Sequence, residues 1–204
     1  DYRQPPYRIL ETALTFHLGD GETLVEGRFQ VERTSDEVAG EPLELDGAEL
    51  ELRSIRIDGQ DVEHTRLTFG TETLTVADVP AKFELTTSVA IHPEKNTSLE
   101  GLYRSSTMFC TQCEAQGFRK ITYYIDRPDN LARFTTTIIA DDKKFPIALS
   151  NGNHVSTKKL ENGLTETVWE DPFLKPSYLF ALVAGDLECV DDTFTTQSGR
   201  VVAL

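Results

Sequence analysis

Apolar residues that recur at every second position constrain this chain more than any other feature, because a period of two fits a half-buried β-strand and not one face of a helix. Between Leu10 and Leu18, the residues Leu10, Thr12, Leu14, Phe16 and Leu18 fall on one side and Glu11, Thr15 and His17 on the other. Gly19-Asp20-Gly21 then turns the chain, and a second run sets Val25, Phe29 and Val31 inward against Glu26, Arg28, Gln30 and Glu32 outward. The two runs predict a hairpin with one wet face. Further strands are expected at residues 49–57, 67–69 and 74–76, at the alternation Phe83, Leu85, Thr87, Val89 and Ile91, and later at residues 135–140, 147–149, 165–169 and 178–184. Asp58-Gly59, Phe69-Gly70 and Val79-Pro80 punctuate the earlier ones, and Asn151-Gly152 signals a tight turn between two of the later ones.

No segment offers a long amphipathic helix. Many short strands over 204 residues therefore predict an all-β chain: an antiparallel β-sandwich or saddle of two sheets, with few or no helices, forming a single domain over residues 1–204. That length buries a substantial core without disulfides or a structural metal.

Charge narrows the partners. Thirty-four acidic residues against twenty basic ones give a formal net charge of -14, which repels a phosphate backbone and excludes nucleic acid as a natural partner. Such a balance suits cationic ligands such as peptide amino termini, although solubility alone explains it as well. No run approaches the roughly 20 apolar residues of a membrane-spanning helix, and residues 1–6 lack the profile of a signal peptide. Three cysteines, Cys110, Cys113 and Cys189, are too few and odd in number for a disulfide framework, so a reducing, cytoplasmic location is expected.

Spacing finds little chemistry. Cys110-Thr111-Gln112-Cys113 has the spacing of half a zinc or redox site, but no second ligand pair follows, and the preceding sequence reads as loop and hairpin rather than a strand feeding a helix. His17, His64, His92 and His154 stand singly, so no metal is expected on this chain. Asn96-Thr97-Ser98 fits a glycosylation acceptor and reads as an ordinary loop without secretion. Residues 194–204 read as a hairpin in progress, so a longer natural polypeptide is expected. These features alone describe an all-β binding or scaffold domain.

One stretch says more. Thr111-Gln112-Cys113-Glu114-Ala115 is followed by Arg119, Asp126-Arg127-Pro128 and Phe134, then by Leu149-Ser150-Asn151-Gly152-Asn153 and an unbroken block from Asp171-Pro172-Phe173 to Ala184-Gly185-Asp186. In order and content these blocks resemble the aminopeptidase N family, the alanyl aminopeptidases of Gram-negative bacteria. The resemblance runs from near Tyr7 to near Leu204 and matches only that family's amino-terminal domain, a β-rich saddle that closes one side of an active-site cavity.

The resemblance implies a zinc metallo-aminopeptidase whose zinc lies in a following catalytic domain, with His-Glu-x-x-His ligands absent from this chain, which alone is expected to be inactive. It also implies two substrate-binding residues. Glu114 takes the position of a glutamate that clamps the free α-ammonium of the peptide, and Gln112 that of a side chain lining the first-residue pocket. From the residues alone, Glu114 reads as a surface carboxylate that pairs with Arg119 or Lys120, and Gln112 could bond loop backbone. Arg119, Asp126 and Pro128 are expected to organise the loop, and Trp169, Phe173, Tyr178 and Phe180 to pack in the core or between domains. The rival reading is a stand-alone β-sandwich binding or interaction module without catalysis.

Overall fold

The computed structural model describes residues 2–204. Its strands are β1 (Tyr7–His17), β2 (Thr23–Arg33), β3 (Leu43–Asp46), β4 (Glu51–Ile57), β5 (Gln60–Asp61), β6 (Leu67–Phe69), β7 (Thr73–Val76), β8 (Lys82–Ile91) and β9 (Gly101–Ser105). They continue with β10 (Met108–Gln112), β11 (Ala132–Asp141), β12 (Ile147–Ser150), β13 (Asn153–Lys159), β14 (Leu164–Lys175), β15 (Leu182–Gly185), β16 (Thr193–Thr195) and β17 (Val201–Ala203). Helical structure among the described residues is confined to short 3-10 turns, and no helix is long and apolar enough to cross a membrane.

The all-β expectation holds, and the strands divide further than the anticipated two sheets. An eight-stranded sheet runs β13-β14-β11-β1-β2-β8-β4-β5, beside a four-stranded sheet β12-β15-β10-β9, a three-stranded sheet β3-β7-β6 and a hairpin β16-β17. One pairing departs from antiparallel: β1 lies parallel to β11. Between the sheets sits one hydrophobic core, to which the eight-stranded sheet contributes alternate residues such as Leu14, Phe16, Val25, Phe29, Leu85 and Val89.

The β1–β2 hairpin forms as its alternation predicts, with a correction at Leu10. The register shifts between Ile9 and Glu11, so Tyr7 and Ile9 are buried, Leu10 is the extra residue of a bulge, and burial resumes at Thr12, Leu14 and Phe16. A bulge changes the parity of a strand, which a strict period of two cannot show. Asn151-Gly152 turns the chain but joins no hairpin: β12 pairs with β15 and β13 with β14. There the Asn151 amide accepts from Ala181 N (2.7 Å) and donates to Leu179 O (3.0 Å), and Gly152 passes so close to β14 that a Cβ would lie 2.2 Å from Glu170 O. Residues 178–184 are likewise half a strand, because a 3-10 turn at Ser177–Leu179 precedes β15.

Asn96 is a structural clamp, its Nδ2 donating to Glu100 O (2.7 Å) and Leu102 O (3.0 Å). Of the late aromatics, Phe180 is buried, Trp169 packs at the core margin with Nε1 donating to Ala148 O (3.0 Å), and Phe173 lies 76% exposed.

Candidate functional site

The segment after β10 is an exposed tip between two buried anchors. Thr111 ties the strand to β15 by accepting from Leu182 N (2.8 Å) and donating to Leu182 O (3.2 Å). Cys113 is buried, Glu114, Ala115 and Gln116 are exposed, and Gly117 and Phe118 are buried again. The turn closes with Gly117 N donating to Cys113 O (2.8 Å). Only glycine fits there, since a Cβ would stand 2.4 Å from Gln112 O and 2.9 Å from Gly101 N. Phe118 then inserts between Tyr124, Phe180 and Phe134, with ring centroids at 4.7, 5.4 and 6.0 Å. Edge-to-face aromatic packing of this kind favours one geometry, so the tip is held from below.

A buried ionic network holds the far end. Arg119 donates through Nε to Asp126 Oδ2 (3.1 Å) and through Nη2 to Asp126 O (3.2 Å), while its backbone N–H reaches Oδ2 (3.2 Å). Ser177 Oγ donates to Asp126 Oδ1 at 2.6 Å, and Asp126 N donates to Asp46 Oδ2 at 3.0 Å. With its side chain 1% exposed, Asp126 requires this many partners, because an unpaired buried charge costs several kcal/mol on the order of magnitude of a whole ion pair. Burial holds the Asp46 carboxyl above its usual range although Arg119, 3.4 Å away, pulls the other way. Arg119 and Asp126 thus organise the loop. Asp46 and Ser177, 80 and 51 residues from Asp126, complete the network without any local signal of it in the sequence.

Glu114 makes no ion pair and no side-chain hydrogen bond among the described residues. Its two sequence-neighbour cations are engaged elsewhere: Arg119 with Asp126, and Lys120 Nζ with Glu49 (3.1 Å), Ser98 Oγ (2.9 Å) and Glu100 (3.3 Å). Gln112 Nε2 donates to the Glu114 carbonyl at 3.1 Å, the loop-backbone bond that was the alternative for this side chain. The two residues therefore sit together, with the amide bracing the backbone of the carboxylate bearer. Beside the loop base a cleft of ≈ 670 Å³ opens, lined in part by Gln116, Arg119, Asp126 and Tyr7; neither Glu114 nor Gln112 lines it.

Among the described residues Cys110 and Cys113 belong to no cluster of three or more metal-ligating side chains. Cys110 and Cys113 are free, and burial pushes both thiols up, Cys113 far above its ordinary value with Asp126 adding to the effect. Folding does bring His92, Glu51 and Glu22 together, which the scattered histidines did not announce. Arg53 already binds both carboxylates, Glu22 at 2.9 Å and Glu51 at 3.2 Å, and His92 bridges Gly21 O through Nδ1 and Glu51 through Nε2, each at 2.9 Å. Both ring nitrogens face acceptors, so the Gly21 carbonyl and then the Glu51 carboxylate raise the His92 pKa.

The peptidase M1 N-terminal domain model matches residues 7–179. Aminopeptidase N of Escherichia coli is 51% identical over 204 residues, all of this chain and 23% of that protein, and aminopeptidase N of Caulobacter vibrioides is 50% identical with the same coverage. The chain therefore spans under a quarter of the length of these relatives. Among solved structures, Legionella pneumophila aminopeptidase A in complex with aspartic acid superposes with a TM-score of 0.93 at 32% identity, over 100% of this chain and 24% of that one. An M1 zinc metallopeptidase of Deinococcus radiodurans shares the fold, with a TM-score of 0.76 at 19% identity over 98% of this chain and 47% of that one.

Proposed function

Because the chain belongs to the peptidase M1 N-terminal domain family, we propose that it is the substrate-anchoring domain of a zinc aminopeptidase that releases amino-terminal residues from peptides. The observation that carries this reading is the free carboxylate of Glu114 on a tip pinned by Cys113 and Phe118. An anchor for a cation has to be unpaired before the ligand arrives and fixed in place when it does, so that little ordering entropy is lost on binding.

Glu114 binds the α-ammonium of the peptide. At about 4 Å, opposite unit charges gain roughly 4 kcal/mol at an effective dielectric near 20, before desolvation is subtracted. A blocked amino terminus forfeits that attraction. Gln112 spends one amide hydrogen on the Glu114 carbonyl and keeps Oε1 and the second hydrogen for the first-residue pocket. The residues of this chain bind and orient, which sets the register of the scissile carbonyl. Zinc, when bound by the catalytic polypeptide that accompanies this domain, supplies Lewis-acid activation of carbonyl and water; none of its ligands comes from these residues. The 204-residue chain alone is accordingly inactive. Free Cys110, Cys113 and Cys189 are in keeping with a cytoplasmic enzyme.

The test is hydrolysis of an alanine-linked chromogenic amide by the longer polypeptide and its Glu114→Gln variant. Loss of one charged hydrogen bond, about 1.5–3 kcal/mol, should lower kcat/KM by about 10- to 100-fold. Unchanged kinetics would remove Glu114 from the site, and hydrolysis by the 204-residue chain alone would overturn the division of labour.

A further inference from the structure

The cleft of ≈ 670 Å³ beside the loop base lies outside the candidate site, since neither Glu114 nor Gln112 lines it. Its size falls within the roughly 300–1,000 Å³ of ordinary small-molecule sites. Its walls are fixed by hydrogen bonds. On one side the stretch before β1 is tied down at Arg3, whose carbonyl accepts from Arg127 Nη2 (3.1 Å), and at Pro5 and Pro6, whose carbonyls accept from Thr34 Oγ1 (2.9 and 3.1 Å). On the other, the buried Tyr7 donates through its hydroxyl to Glu41 O (3.1 Å), and the wall continues through Pro42 into β3. The Asp46–Arg119–Asp126 network forms part of the lining between them. A ligand entering such a cleft has little of the protein left to order.

The charges in the cleft do not balance. Glu41, Glu44, Asp46, Asp126 and Asp129 face Arg3, Arg119 and Arg127, and each guanidinium is already engaged: Arg3 by Glu41 at 3.6 Å, Arg127 by Asp129 at 2.8 Å and Arg119 by Asp126 at 3.1 Å. Two carboxylates are left over. Glu44 is exposed and makes no ion pair or side-chain hydrogen bond among the described residues, and the half-buried Asp46 has only a share of Arg119, at 3.4 Å. The two stand two residues apart on β3, so they project from one face while Leu43 and Leu45 are buried on the other. Burial first, and Glu44 among the neighbouring charges, hold the Asp46 carboxyl above its usual range although Arg119 pulls it down. Around this pair Pro5, Pro6 and Pro42 present carbon.

We propose that the cleft is a second binding site, for an organic cation: an ammonium or guanidinium group held by Glu44 and Asp46, on an aliphatic stem that lies along Pro5, Pro6 and Pro42. A long cationic side chain or polyamine has this shape, with a hydrocarbon stem that covers apolar surface and a charged head that seeks carboxylates. The site is independent of the aminopeptidase reading, because neither residue assigned to substrate anchoring takes part in it.

The test is isothermal titration calorimetry of the longer polypeptide at about 0.15 M salt, which screens general attraction to an acidic surface. Two titrants carry the same chemistry from different sources: spermidine, and a lysine tripeptide acetylated at its amino terminus and amidated at its carboxyl terminus, which has no α-ammonium to offer Glu114. Saturable binding of either upholds the site, and the titrant that binds more tightly names the source. Asp46→Asn should weaken binding at least about tenfold, as expected for a lost hydrogen bond between charged groups. Glu44→Gln, whose side chain holds nothing else in place, should weaken it by about two- to fivefold. Glu26→Gln on the outer face of the eight-stranded sheet and Glu114→Gln should leave it unchanged. The absence of saturable binding by both titrants would overturn the proposal. Equal affinities in the Glu44→Gln and Glu26→Gln variants would overturn it too, by assigning the heat to general charge. A loss on Glu114→Gln would move the cation to the tip of the loop and sink the second site, whereas an inactive Glu114→Gln enzyme that still binds the titrant upholds both sites.

Discussion

The outer faces of the two larger sheets obey the same alternation and end up with opposite chemistry. Across the eight-stranded sheet one row reads Thr135, Ala13, Arg28, Thr86 and Arg56, and the next Thr137, Thr15, Glu26, Ser88 and Ser54. Cross-strand pairs there are ionic or polar, as with His17–Glu26 at 3.0 Å, Arg28–Glu84 at 3.9 Å and Gln30 donating to Glu84 at 3.0 Å. Across the four-stranded sheet the corresponding row reads Leu149, Val183, Cys110 and Tyr103. The charges of the first face stay solvated or pair across strands, whereas the uncharged row of the second has no charge to solvate or pair. The candidate site lies at the border of the second kind of face, where a short rigid tip carries its free carboxylate outward.

The largest effect expected from a single change tests what both faces share. Phe118 lies beneath the loop and touches aromatic residues from several parts of the core, so Phe118→Ala should destabilise by about 3–5 kcal/mol, read as a lower urea midpoint. A loss below about 1 kcal/mol would mean that this core does not join the two sheets. A change on the wet face should do little: Thr137→Lys sits among polar neighbours and should shift stability by at most about 0.5 kcal/mol, read as a nearly unchanged urea midpoint. A loss above about 1 kcal/mol would mean that the wet face takes part in the core.

The smallest effect concerns His92, which ties the β1–β2 turn to the start of β4 at the edge of the wet face. Its folded pKa is raised by the Gly21 carbonyl and Glu51, with Arg53, Glu22 and Lys95 as neighbouring charges. A raised pKa contributes stability that is complete below the unfolded value of about 6.5 and is lost as pH rises through the folded value. His92→Gln should therefore flatten the pH dependence of melting above about pH 6.5. An unaltered pH profile would show that the ring is not held charged.

Much of this was legible residue by residue. The inward faces of β2 and β8 follow their alternation, and the block around Thr111-Gln112-Cys113-Glu114-Ala115 located the loop. Other parts were hidden for physical reasons. The bulge at Leu10 shifted parity within an otherwise regular strand, and Asn151-Gly152 formed its turn while the flanking strands joined different sheets. Glu114 remained unpaired because folding gave Arg119 and Lys120 to Asp126, Glu49 and Glu100, none of which adjacency in sequence would select.

By itself the sequence determined that this chain forms strands, which side chains most of them bury, and to which family it belongs, since those are properties of short segments read in order. Tertiary structure alone decided that β1 runs parallel to β11, that Asp46 and Ser177 meet at Asp126, and that Leu149, Val183 and Cys110 line up into one uncharged row. Alternation tells a strand which side to bury but not which neighbour to take, because backbone pairing is nearly indifferent to sequence. The choice is made by the packing of distant side chains, and only the assembled core expresses it.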